Sequence, residues 1–190
     1  MSDVPALQAS WHRKSTVAFT IANEVKKAGH LGASFFFSRD EAEHSNARMF
    51  FTAIAFQLCV YDKKFAQAIE SVLQDEQGLA ATTKDPCEQM EVLILNPLRD
   101  IIQSSPRSAV VVIINTLDEC EARDATEVLV ALTILVQQLP SFRTVLTTRP
   151  KPHLPADVRC PQGFSFAEHR GEDCQQPPSD IWLYALPFSR

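Results

Sequence analysis

The run Ala109-Val110-Val111-Val112-Ile113-Ile114 constrains this 190-residue chain more than any other stretch. Five β-branched apolar residues in succession favour an extended backbone, because branched Cβ atoms pack well on a pleated surface and crowd a helix. A strand that is apolar on both faces has to be covered on both, so the run belongs near the centre of a sheet flanked by helices.

The neighbouring segments supply those layers. Val17, Ala18, Ile21, Ala22 and Val25 recur at helical spacing between about Ser15 and Lys27, with Gly29 placed to stop the helix. Leu31 to Phe37 is a short, mostly apolar run that suits a strand covered on both sides, and Phe35-Phe36-Phe37 is expected to be core. Met49 to Leu58 and Phe65 to Leu73 predict two further helices, the second broken at Gly78. A fourth is expected around Glu88 to Ile101, kinked or ended by Pro97. Thr126 to Leu139 returns to helix and Phe142 to Leu146 to strand. Strands separated by helices imply right-handed crossovers and a parallel sheet, hence an α/β fold. Pro152, Pro155, Pro161, Pro177 and Pro178 interrupt the later sequence, so 151–178 is expected to be loop or disorder.

Charge and composition narrow the function classes. With 18 basic against 23 acidic residues and no basic run, the chain lacks the electrostatic footprint of a nucleic-acid binder. No stretch approaches the roughly 18 consecutive apolar residues that a membrane span needs, and Met1 to Pro5 lacks the apolar core of a signal peptide. A cytoplasmic protein without nucleic-acid or membrane partners is expected. Cys59, Cys87, Cys120, Cys160 and Cys174 are odd in number and contain no C-x-x-C pair, so neither a disulfide nor a structural zinc site is assigned. His44 beside Asn46 and Arg48 fits a polar helix face, and Cys160, His169 and Cys174 lack zinc-site spacing.

In a parallel sheet, chemistry gathers where the strands end at their carboxyl termini. After Ile114 comes Asn115-Thr116-Leu117-Asp118-Glu119-Cys120. Adjacent acids there can hold Mg²⁺ through water and orient an attacking water, or they can simply charge a solvated loop ahead of the next helix. Arg13-Lys14-Ser15-Thr16 precedes the first helical pattern. A lysine and hydroxyl at a helix N-terminus can place an ammonium on phosphates and an oxygen on Mg²⁺, while Ser15 or Thr16 can equally be an N-cap. Thr147-Thr148-Arg149-Pro150 ends the last strand, where Arg149 can sense a phosphate or pair with a surface carboxylate.

The order of these segments resembles the NACHT-type STAND ATPases, and most of all the nephrocystin-3-like N-terminal domains of mushroom-forming fungi. The resemblance rests on Gly32-Ala33-Ser34-Phe35-Phe36-Phe37-Ser38-Arg39, Asn115 to Cys120 and Thr148-Arg149-Pro150, and covers about 14–154. Ser179-Asp180-Ile181 and Leu183-Tyr184 also resemble part of a downstream helix of that family. The resemblance implies a three-layer P-loop NTPase-like parallel sheet with flanking helices. It also implies nucleotide binding through Lys14, Ser15, Thr16 and Arg149, catalysis by Asp118 and Glu119, and Mg²⁺ with ATP or GTP held by Ser15, Asn115 and Asp118.

This chain departs from the family pattern in three ways. It has no glycine before Gly29, where a phosphate loop needs several, and Gln8, Trp11 and Arg13 stand in their places. Asn115 replaces the acid that would end the strand and so brings no negative charge to Mg²⁺. Met1 to Ser10 contains no β-favouring run to supply the strand ahead of the phosphate loop, so an incomplete sheet with unpaired edges is expected. The resulting division is 1–13 as an atypical N-terminal segment, 14–154 as a partial NTPase-like domain and 155–190 as an irregular C-terminal segment. The functional alternatives are a nucleotide-switched signalling ATPase, a non-catalytic pseudo-NTPase that self-associates or binds other proteins and needs no cofactor, and a truncated fragment.

Overall fold

The computed structural model describes residues 5–40, 47–104, 109–139, 141–148, 165–168 and 182–185. Helix α1 (Pro5–Lys27) leads to β1 (Leu31–Phe36), and α2 (Ala47–Tyr61), α3 (Lys63–Gln74), α4 (Glu76–Ala81) and α5 (Pro86–Met90) follow. A π-helical turn (Glu91–Leu95) joins α5 to α6 (Asn96–Ser104), ahead of β2 (Val110–Asn115). A 3₁₀ turn (Leu117–Glu119), α7 (Ala122–Gln138), β3 (Phe142–Thr148), β4 (Ser165–Glu168) and β5 (Trp182–Ala185) complete the order.

The sheet runs β1-β2-β3-β5-β4. β1, β2 and β3 are parallel, as the alternation of strands and helices requires, and β5 and β4 continue the sheet in antiparallel sense. Alternation along each strand separates two cores. Ala33, Phe35, Phe37, Val112, Ile114, Phe142 and Leu146 face one side, where they pack with α2, α3, the π turn, α6 and α7. Leu31, Phe36, Val111, Ile113 and Val145 face the other, against Ala18, Ile21 and Ala22 of α1. The α/β architecture with a helix-flanked parallel sheet is therefore present, consistent with a P-loop-like fold. Phe35 and Phe37 are core as expected, while Phe36 is half-buried on the opposite face.

The structure corrects several local expectations. α1 begins at Pro5, not near Ser15. Gly29 does stop it, at φ +74°, with the His30 amide donating to the Val25 carbonyl. Gly78 does not break a helix but lies inside α4, and the break falls at Asp75, whose backbone is extended. Pro97 neither ends nor interrupts the helical path. A proline at 97 cannot donate and crowds the carbonyl of residue 93, and the π turn just before it absorbs this, with the Asn96 amide donating to the Glu91 carbonyl.

The later sequence differs as well. Within 151–178, Ser165–Glu168 is a strand and the remainder lies outside the described residues. Trp182–Ala185, which resembled a helix fragment, is also a strand. β5 pairs along Val145 to Thr148 of β3. His44, Cys160, His169 and Cys174 fall outside the described residues.

Candidate functional site

The parallel strands bring three of the segments singled out in the sequence to one carboxyl edge. β2 delivers Asn115, which is almost completely buried, and the chain then turns sharply at Thr116. Thr116 adopts φ 56° and ψ 43°, the only positive φ among the described non-glycine residues. A β-branched residue resists this left-handed conformation, at a cost of roughly 1–3 kcal/mol, so the surroundings have to impose it.

Two hydrogen bonds do so. The Thr116 hydroxyl donates to the Phe37 carbonyl at 2.7 Å, and its amide donates to the Thr147 hydroxyl at 3.2 Å. Thr147 in turn donates to Asn115 Oδ1 at 2.5 Å. The Phe37 amide donates to the Asn115 carbonyl at 3.0 Å, so the ends of all three parallel strands are tied to one another.

Beyond Thr116 the 3₁₀ turn carries Asp118 and Glu119. Asp118 is buried, whereas Glu119 is half-buried. Arg39, just past β1, clamps this turn: its guanidinium donates to the Asp118 carbonyl at 2.9 Å, and its amide faces Glu119 Oε2 at 3.4 Å. The turn closes on itself through the Glu119 amide to the Thr116 carbonyl and the Cys120 amide to the Leu117 carbonyl. In the sequence Arg39 and Thr116 stand out only as parts of motifs. Their position just after a strand was the signal that they belong to the site.

The Lys14-Ser15-Thr16 segment is placed differently from expectation. α1 packs against β1 and β2, and Phe19 stacks on Phe36 at the carboxyl end of β1 with ring centroids 4.6 Å apart. The helix N-terminal to Phe19 therefore extends past the same edge that carries Asn115, Asp118 and Thr147. Lys14 to Thr16 lie inside the helix and not at its start. Interior amides of an α-helix bond the carbonyl four residues earlier, so the ring of free N–H groups that a phosphate needs is not formed there. Thr16 is an interior residue of α1, and its carbonyl accepts from the Thr20 hydroxyl at 2.8 Å. The side chains of Lys14 and Ser15, and all of Arg149, lie outside what the structure describes.

Of the residues that would hold a Mg²⁺-nucleotide, Asn115 and Asp118 are buried at this edge. Asn115 Oδ1 accepts the Thr147 hydroxyl, which takes one of its two lone pairs. Among the described residues no three His, Cys, Asp or Glu side chains converge as a metal set would. What the arrangement does well is lock β1, β2 and β3 together at their carboxyl ends.

No curated protein and no solved structure shows significant similarity to this chain. A family model described as "Nephrocystin 3, N-terminal" matches residues 13–149, a span that takes in the parallel strands and the whole carboxyl-edge cluster, and the chain belongs to that family.

Proposed function

We propose that this chain is a non-catalytic member of its family: a cytoplasmic, NACHT-like STAND module in which the NTPase site has become structural and the domain acts by binding protein. One observation carries this reading. Lys14-Ser15-Thr16 lies inside α1 with no glycine-rich loop before it, so lysine and hydroxyl lack the free backbone amides that make such a pair grip phosphate. The Thr147–Asn115 hydrogen bond supports it, because the strand-end residue that would serve a cation is used to fasten two strands.

The second reading is a signalling ATPase whose nucleotide stabilises one conformational state. The observation in its favour is that Asp118, Glu119 and the N-terminal part of α1 share one edge of the sheet. Binding of a fluorescent ATP analogue with Mg²⁺ separates the two. The proposal expects no saturable binding by the unmodified chain, and gain of binding when residues 8–13 are rebuilt with the glycines of a phosphate loop. Saturable binding by the unmodified chain that is lost in Lys14→Ala supports the switch and removes the non-catalytic reading.

A further inference from the structure

We propose that the second edge of β3 is a strand-acceptor site, which β5 fills either from its own chain or, by exchange, from a second copy of the protein. This goes beyond the reading of the nucleotide site and does not depend on it.

β3 is bound to β2 on one side through Val110↔Phe142 to Ile114↔Leu146. Its other side carries a second row of backbone donors and acceptors, in a strand whose Thr144, Leu146, Thr147 and Thr148 are all buried. Buried donors and acceptors need partners, so this edge has to be paired. β5 supplies that pairing in the register Val145↔Ala185, Leu146↔Tyr184, Thr147↔Leu183 and Thr148↔Trp182. Among the described residues β4 pairs only with β5. The whole β4–β5 unit is thus hydrogen-bonded to the sheet through one four-residue strand.

The covalent connection does not force β5 onto its own β3. Sixteen residues, 149–164, separate β3 from β4, and thirteen more, 169–181, separate β4 from β5. Sixteen residues can span about 50 Å when extended, which exceeds the roughly 30 Å width of a small domain. An exchanged pair makes the same β3–β5 hydrogen bonds as the closed chain, so exchange sacrifices no contact, and its extent depends on concentration against a tether worth about millimolar.

The test mixes two single-cysteine additions, Val145→Cys in one preparation and Ala185→Cys in the other, under an oxidising glutathione buffer. These positions face each other across the ladder, within disulfide reach. The expected result is a covalent dimer whose 145–185 link is identified by peptide mass spectrometry and whose yield rises in proportion to protein concentration. It disappears when the Ala185→Cys chain also carries Leu183→Pro and Tyr184→Pro, since successive amides face opposite neighbours and one of the two must face β3. If the chain carrying both cysteines links only to itself and the mixture never links, exchange is overturned. If neither links, or the prolines change nothing, the acceptor site is overturned. Should the variants fail to fold, native mass spectrometry of mixed ¹⁵N-labelled and unlabelled wild-type chains decides it, with no mixed dimer at about 1 mM counting against the proposal.

Discussion

A single hydroxyl carries an unusual share of the carboxyl edge. Thr147 accepts from the Thr116 amide and donates to Asn115 Oδ1, and both partners are buried. Replacing it with isosteric valine keeps the volume but leaves a buried donor and a buried acceptor unmatched, each costing about 1–3 kcal/mol. Thr147→Val is expected to lower the urea midpoint by the equivalent of about 2–4 kcal/mol, whereas Thr147→Ser, which keeps the hydroxyl, loses only a methyl group at about 1 kcal/mol. An equal loss for both would show that the methyl and not the hydrogen bonds holds the turn. Three residues earlier the sign reverses. Thr144 is fully buried and its hydroxyl has no hydrogen-bond partner among the described residues, so Thr144→Val removes an unsatisfied polar group without opening a cavity. A gain of about 1 kcal/mol in denaturant unfolding is expected.

At the scale of elements, Gly78 sets local propensity against packing. Alanine is the better helix former by about 1 kcal/mol, so propensity alone favours Gly78→Ala inside α4. A Cβ built on Gly78, however, lies 1.9 Å from the Val72 carbonyl oxygen of α3, a backbone atom that cannot rotate away. Gly78→Ala is expected to destabilise by about 2 kcal/mol or more, and a rise in thermal midpoint would show that α4 shifts freely against α3. The same conflict explains why this element was illegible in the sequence. A glycine that breaks a helix and one that lets two helices touch look identical until the neighbour is known. The β2 run was legible because five β-branched residues leave a buried strand as the only good solution. Trp182–Ala185 was not, because four residues carry no period, and what makes them a strand is the waiting edge of β3. The π turn before Pro97 was only half legible, since sequence announces the missing amide but not how the backbone absorbs it.

Across the molecule, the described residues cover the two faces of the sheet unequally. One side packs the large cluster formed with α2, α3, the π turn, α6 and α7, while the other rests on α1, where the fully buried contacts are Ala18, Ala22 and Ile113. The candidate site straddles this asymmetry: its legible part, Asn115 with Asp118 and Glu119, sits on the well-packed frame. The start of α1 was not legible because periodicity locates an apolar face and says nothing about where a helix starts. Stability follows buried apolar area, and among the described side chains of α1 the buried ones are Ala18 and Ala22, each contributing less than a leucine or phenylalanine. Val17 and Phe19 on α1 are substantially exposed as well. α1 should therefore undock while the rest of the domain remains folded, as a separate low-energy opening. Native-state hydrogen exchange is expected to show Thr16–Lys27 amides opening at a free energy at least about 2 kcal/mol below that of Val128–Leu135 in α7, and with a weaker denaturant dependence. Adding Ala18→Gly should lower the α1 opening energy by about 1 kcal/mol and leave α7 exchange against the same folded core unchanged. Matching opening energies and matching denaturant slopes for the two helices would mean that the sheet and both its layers unfold as one unit, and that the thin face is bound as tightly as the thick one.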